Sequence, residues 1–342
     1  MIVFRCNAAS GVGVGHLMRC RTLAAALRAR GVPSVMFGPD ESWRGAGDER
    51  LFDAWMPSIW SNPNTDARAL AAACRKFGAG VAVLDDYRVD GEYQMLLRDR
   101  GLKWMQQFNA SAPPPFWADW VVNAGPGETA DRYVAQVRNP QTTFLLGPEY
   151  AVLRSEFRNM PERPSEGRIG QVLISFGGGD DHGMVIRMLT ALLADGPAEL
   201  QYRIMSGSRN PGNDSIARWI VGNAAGRAVL AVNPPDVAAE YLACDLALIG
   251  GGTSTFEAAA MGLPMVIVSM ADNQINQALG WQARGAAVFA GILDTLSPEE
   301  VVRCVASLCA DPVKIAAMAR AGRTSVDGGG CDRLVDRLVG VI

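Results

Sequence analysis

Histidine is almost absent from this sequence. Its 342 residues hold two, His16 and His182, so any acid–base scheme built on imidazole has few places to stand. Positive charge is not in excess either. The 32 Lys and Arg face 35 Asp and Glu, a net charge of −3, which excludes bulk attraction to nucleic acid or to an anionic membrane surface. No apolar run reaches bilayer-spanning length and the N-terminus starts on strand-like residues, so neither a membrane partner nor a leader is expected. Cysteine lacks a framework. Seven residues, an odd number without disulfide spacing, read as reduced thiols of a cytoplasmic protein. The pairs Cys6/Cys20 and Cys304/Cys309 do not have zinc-ligand spacing, and no Asp-x-Asp or His/Cys cluster argues for a metal. No cofactor is expected. No oligomer surface is evident, and a monomer is the expectation.

What is present is an ordinary globular composition, 49% apolar and 20% charged, in a chain long enough for two domains. Strand and helix signals alternate from Ile2 onward, which argues an α/β chain with parallel sheets covered on both faces. Residues 148–169 carry Pro148, Pro161 and Pro164, many charges and no sustained apolar period, and are read as a linker. The expected domains are therefore 1–147 and 170–342. The tail Cys331–Val339 is amphipathic and is a candidate for crossing back to the first domain.

The most informative stretch runs from Leu246 to Gln277. A buried strand leads into Gly250, Gly251 and Gly252, where the backbone can turn sharply and approach a ligand. Thr253 or Ser254 is expected to cap the following helix. Glycine turns that open a helix favour an anion such as phosphate, and Glu257, one turn in, is suited to accepting hydrogen bonds from two ribose hydroxyls. Asn273 and Gln274 follow the next strand. The plain alternative is a tight βα turn with no ligand. A second strand-end turn, SFGGGDD, offers the amides of Gly177 and Gly178, while Asp180 and Asp181 are expected to cap the helix after it. His182 beside them reads as a solvated loop residue or a phosphate contact.

GVGVGH at 11–16 includes Gly13 and Gly15 but fails the dinucleotide fingerprint. His16 or Met18 falls where the third glycine belongs. His16 opens a helix, where the dipole disfavours imidazolium, and a neutral ring there is suited to deprotonating water; a helix-capping role is the alternative. Asp85 and Asp86 follow a strand and point opposite ways, a poor metal pair. One of them, with Tyr87, is placed to face a ligand; turn capping is the alternative. Trp104, Met105, Phe116, Trp117 and Trp120 read as core. Ligands of open parallel sheets lie beyond the strand carboxyl ends, and glycine loops follow Cys6, Phe176 and Ile249. Two such domains facing each other would form a cleft with His16 opposite the phosphate loops.

Four segments in order, RCNAASGVGVGHLMRCRTLA, LLGPEYAVLRSEF, VLISFGGGDD and LALIGGGTSTFEAAAMGLP with its later Asn-Gln, resemble the UDP-2,4-diacetamido-2,4,6-trideoxy-β-L-altropyranose hydrolases of pseudaminic acid biosynthesis. The likeness covers nearly the whole chain. The last segment is also similar to nucleotide-sugar glycosyltransferases of the GT-B fold, such as the peptidoglycan N-acetylglucosaminyltransferase.

The resemblance implies a GT-B-like α/β fold, two Rossmann-like doubly wound parallel-sheet domains facing across a cleft. It implies a UDP-sugar substrate, with UDP held mainly by the C-terminal domain, and a metal-independent hydrolysis. His16 would be the general base, with Gly251, Gly252, Thr253 and Glu257 at the nucleotide and Asn273 and Gln274 near the sugar or diphosphate. The family often carries Asp two residues after the first-strand Arg; here Asn7 follows Arg5. The expected reaction is attack of water at the anomeric carbon with inversion, from one histidine with no evident carboxylic acid partner. UDP leaves readily without a strong acid. A GT-B glycosyltransferase and a catalytically silent UDP-sugar-binding protein are the alternatives.

Overall fold

The structure, a computed structural model, describes residues 1–8, 14–109, 112–158, 160–161 and 168–341. Gly11 and Gly13 of the first glycine loop lie outside the described residues. The chain divides into two compact units, Met1–Arg154 with Gly329–Ile342, and Ser155–Gly328.

Unit 1 begins with β1 (Ile2–Cys6), α1 (Gly15–Ala29), β2 (Ser34–Gly38), α2 (Asp48–Leu51), β3 (Ala54–Pro57) and α3 (Pro63–Lys76). It continues with β4 (Val81–Asp85), α4 (Gly91–Arg98), β5 (Lys103–Gln107), β6 (Trp120–Asn123) and β7 (Thr143–Leu146). The seven strands form one parallel sheet in the order β3-β2-β1-β4-β5-β6-β7. The central strands are apolar along most of their length because helices cover both faces: every residue of β1, β2 and β4 is buried, the charged Arg5 and Asp85 included. Helix starts follow local chemistry. Asn62 accepts from Thr65 N ahead of Pro63, and Asp90 accepts from Tyr93 N, the usual remedy for amides with no partner in the first turn.

Unit 2 repeats the pattern with β8 (Gln171–Ser175), α5 (Met184–Asp195), β9 (Gln201–Ser206), α6 (Asn213–Asn223), β10 (Ala228–Val232) and α7 (Val237–Leu242). Then come β11 (Leu246–Gly250), α8 (Ser254–Ala260), β12 (Met265–Ser269), α9 (Ile275–Ala283), β13 (Ala287–Ile292), α10 (Pro298–Cys309) and α11 (Pro312–Ser325). Its parallel sheet runs β10-β9-β8-β11-β12-β13. In each unit the winding reverses once, between β1 and β4 and between β8 and β11. That reversal splays the connections apart and leaves room for a ligand at the strand carboxyl ends.

The division differs from the expected boundaries at both ends. Residues 148–154 belong to unit 1, where Ala151, Val152 and Leu153 are buried. The final helix, α12 (Gly330–Val339), also belongs to unit 1. Cys331, Leu334, Val335 and Leu338, at helical spacing, are buried in one cluster with Leu17, Cys20 and Leu23 of α1. Arg333 Nη1 donates to Glu149 O at 2.8 Å. An amphipathic helix must cover its stripe, and the α1 face offered the apolar surface. Leu334→Ala is therefore expected to destabilise unit 1 by about 2–5 kcal/mol, read as a lowered urea midpoint for the unit 1 transition.

Candidate functional site

The end of β4 carries Asp85, fully buried and in register with Cys6 of β1. His16, the second residue of α1, lies over it. Nδ1 of His16 is 2.6 Å from Asp85 Oδ1. A carboxylate at this strand end only accepts, so Nδ1 carries the proton and Nε2 is left as the ring's lone-pair nitrogen. Arg19, one turn along α1, donates through Nε to Asp85 Oδ2 and through Nη2 to Oδ1, each at 2.8 Å. Its Nη2 also lies 3.1 Å from His16 Nδ1, but two donors cannot bond each other, so that proximity follows from their shared acceptor. Burial alone would push the Asp85 carboxyl up; the Arg19 guanidinium, and then His16, outweigh it and hold the group at about 2. Burial likewise works against the Arg19 charge, and Asp85 overcomes it, so the guanidinium stays protonated. Tyr87 closes one side, its ring edge-on to His16 at 4.5 Å and 73°, with its hydroxyl donating to Asn109.

The histidine is paired with an ionised carboxylate, Asp85, which holds its Nδ1 and is no acid for a leaving group. It does not cap its helix: the N-cap residue of α1 is Val14, which makes no side-chain cap bond. His16 is 5% exposed, with its Nδ1 edge turned inward. Asp86 points the other way, as alternation requires, to Arg88 and Arg5. Arg19 was missed by the sequence reading, although its place three residues after His16 puts it on the same helix face. Gly15 begins the helix beside Arg19.

In unit 2, the turn after β11 is built differently from the expectation. Gly250, Gly251 and Gly252 are not among the positive-φ residues. Their lack of a side chain serves packing: a Cβ on Gly251 would lie 2.9 Å from Gln274 Cβ, and one on Gly250 3.3 Å from Met270 Cγ. Neither Thr253 nor Ser254 caps α8. Thr253 is the N-cap residue but makes no side-chain cap bond. The carbonyl of Gly252 is held instead by the Thr255 hydroxyl and by Gln277 Nε2, both at 2.8 Å. Gln274 Oε1 accepts from Met270 N, whereas Asn273 is exposed. Among the described residues the amides of Gly252, Thr253 and Ser254 donate to nothing, an arrangement able to receive an anion. Half-buried Glu257 accepts from Tyr241 OH at 3.0 Å. Buried Gln277, which fixes this turn, gave no signal in the sequence beyond its position after Asn-Gln.

The turn after β8 does need glycine conformation. Gly177 has φ +104° with open space where a Cβ would be. Gly178 packs so closely on Gly207 that a side chain at 207 would strike its carbonyl. Of the two aspartates, Asp181 caps α5 by accepting from Val185 N, while Asp180 accepts from the neighbouring His182 N. His182 is exposed. Trp104, Met105 and Phe116 are fully buried, as expected of core. Within unit 1, then, His16, Asp85 and Tyr87 come together; within unit 2, Gly251, Gly252, Thr253 and Gln274 do. No group of three His, Cys, Asp or Glu is placed to hold a metal among the described residues, nor is any helix there long and apolar enough to cross a membrane.

No family model matches the chain. A UDP-N-acetylglucosamine–N-acetylmuramyl-(pentapeptide) pyrophosphoryl-undecaprenol N-acetylglucosamine transferase of Xanthomonas oryzae pv. oryzae is 28% identical over 352 aligned positions, covering 96% of this chain and 77% of that one. The spore coat polysaccharide biosynthesis protein SpsG of Bacillus subtilis is 25% identical over 223 residues, 64% of this chain and 63% of that one. An uncharacterized protein of Methanocaldococcus jannaschii is 25% identical over 265 residues, 75% of this chain and 53% of that one. The chain thus spans between half and two thirds of the length of these last two relatives. Among solved structures, Acinetobacter baumannii MurG superposes with a TM-score of 0.70 at 16% identity, covering 99% of both chains. The S. aureus MnaA–UDP co-structure superposes at 0.67 with 12% identity, covering 100% of this chain and 97% of that one. With its two parallel, once-reversed sheets of seven and six strands, the chain has the α/β architecture of the GT-B fold.

Proposed function

We propose that this chain is a nucleotide-sugar enzyme that moves a glycosyl group from UDP to an oxygen nucleophile, with His16 as the general base. The observation that carries the reading is the His16–Asp85 pair. With Nδ1 engaged by a carboxylate, Nε2 takes the proton of the attacking hydroxyl, and Asp85 stabilises the imidazolium that results. Arg19 fixes the carboxylate's orientation. Unit 2 supplies the nucleotide site: the unpaired amides at Gly252, Thr253 and Ser254 receive charge as it grows on the departing diphosphate, and Glu257 takes the ribose hydroxyls. UDP needs little acid assistance as a leaving group, in keeping with a site that offers one base. Attack opposite the leaving group inverts the anomeric centre.

The nucleophile we favour is an acceptor hydroxyl. The transferase relative aligns along 96% of the chain, whereas the motif likeness to the altropyranose hydrolases rests on four segments, one of them altered at Asn7. Water as nucleophile, acting on a UDP-linked diacetamido-trideoxy hexose, is the second reading, supported by the Gly-x-Gly-His segment ending in His16. Incubating the protein with UDP-sugars in oxygen-18 water separates the two. A transferase releases UDP only when an acceptor is added and leaves the sugar unlabelled. Rapid acceptor-free release with label in the sugar would establish the hydrolase, and label in UDP would exclude both. Tight UDP binding without turnover on any UDP-sugar and acceptor would reduce the chain to a binding protein.

A further inference from the structure

A pocket of about 210 Å3 opens at the carboxyl ends of β1, β2 and β3, on the face of the sheet away from His16, and no part of the proposed chemistry uses it. Its floor is Arg5, 1% exposed and held from every side. Nε and Nη2 of Arg5 donate to the two oxygens of Asp66 at 2.7 and 3.1 Å, Nη1 donates to Cys6 O at 2.6 Å, and Asp86 lies at 3.3 Å. Tyr93 OH also donates to Asp66, at 2.7 Å. Gly38 has φ +121° and leaves the room that Arg5 fills. The wall is Trp60, stacked on Tyr93 at 5.7 Å and 8°, with the Arg88 guanidinium 4.3 Å from its ring centre. This is a rigid frame: each member is fixed by at least two others.

Two groups in the frame lack partners. Asn7 is 8% exposed and lines the pocket, yet its side-chain amide bonds to nothing among the described residues. The indole N–H of Trp60 is likewise without an acceptor there. Neither group is sealed in the interior; both open on the pocket, where a ligand bearing hydroxyl or amide groups would meet the donor and acceptor atoms of Asn7 and the donor of Trp60. The charge balance selects among such ligands. Both guanidiniums are already neutralised, Arg5 by Asp66 and Asp86 and Arg88 by Asp86, and Asp40 adds a further carboxylate at the mouth. Three carboxylates against two guanidiniums disfavour an anion. Pockets for drug-sized ligands run to about 300–1,000 Å3, so this smaller space takes one ring.

We infer that this pocket binds a single uncharged sugar ring through Asn7 and Trp60. It shares its strand ends with the His16–Asp85 pair, since Asn7 N donates to Asp85 O at 3.2 Å. Its role in catalysis rests on the glycosyl-transfer reading; its ligand preference does not.

Saturation-transfer NMR on the full chain, with the methyl glycoside of N-acetylglucosamine as the neutral probe and methyl glucuronide as the anionic one, tests this without turnover. The neutral probe should bind in the millimolar range and the uronide at least about tenfold more weakly, as expected of a site whose polar groups are matched to one ligand. Asn7→Leu should weaken the neutral probe by a similar factor, and Trp60→Phe, which keeps the wall and removes the indole N–H, should weaken it several-fold. Displacement of the probe by UDP-N-acetylglucosamine but not by UDP assigns the pocket to the donor's ring; retention assigns it to the acceptor's. No binding of the neutral probe, equal binding of the uronide, or indifference to both substitutions overturns the inference. A chain that binds no sugar here but loses UDP release on His16→Asn would keep the proposed function and lose this site alone.

Discussion

His16→Asn is expected to lower kcat for UDP release by about 10²–10⁴-fold, the span of a general base, with UDP affinity nearly unchanged. The asparagine amide can still donate to Asp85 in place of Nδ1, so Asp85 and Arg19 keep their pairing and the fold should not suffer. What disappears is Nε2. The measurement is a steady-state assay beside a direct titration with UDP. Near-normal turnover in a variant that binds UDP would remove the histidine from the mechanism, and with it the proposed function. Loss of UDP binding along with activity would instead mean that the substitution had disturbed more than the base.

The second large effect is expected from Asp85→Asn, in both activity and stability. The neutral amide no longer stabilises the imidazolium, so kcat should again fall by orders of magnitude. It also strips Arg19 of its counter-charge, and breaking a buried pair by removing one partner costs about 3–5 kcal/mol. The pH dependence follows from the carboxyl being held at about 2. Its value in the fold lies below that in the unfolded chain, so it binds its proton less readily when folded. The stabilisation is therefore fully present above pH 4 and is lost as pH falls through 4 toward 2. For a shift of this size it amounts to about 2 kcal/mol. Wild-type protein should lose that stability on acidification, and the Asp85→Asn variant, already weakened at neutral pH, should lose correspondingly less over the same window. Parallel urea titrations from pH 7 to pH 2 read it directly. Identical pH profiles for the two proteins would mean that Asp85 is not the depressed carboxylate.

Much of the architecture was legible because parallel strands buried on both faces are written as uninterrupted apolar runs. β11 and β12, LALIG and MVIVS, are such runs, buried at every residue. β3 and β13 carry no such pattern. β3 is four residues at a sheet edge, with Trp55 its one buried member, and β13 is half-exposed along most of its length and contains Gly291 at φ +138°. Edge strands bury less and so leave a weaker pattern. α12 illustrates the opposite limit: its stripe was plain, but which surface it covers is a long-range choice that periodicity does not carry.

The same division runs through the sites. Residue types at strand ends named His16, Asp85, Tyr87 and the glycine turns as candidates, because local geometry alone decides that such groups sit beyond a sheet. Pairing was beyond its reach. That Asp85 rather than Asp86 meets His16, that Arg19 locks it, and that Arg5, Asp66 and Trp60 frame a pocket around Asn7 depend on contacts spanning some sixty to seventy residues of chain. The sequence by itself determined the alternation of strands and helices, the doubly wound class and the positions where chemistry can sit, since these follow from burial period and backbone conformation. Only the tertiary structure decided which side chains share a proton or a charge. Such pairing is set by strand register and helix packing, and these are fixed by the whole core at once.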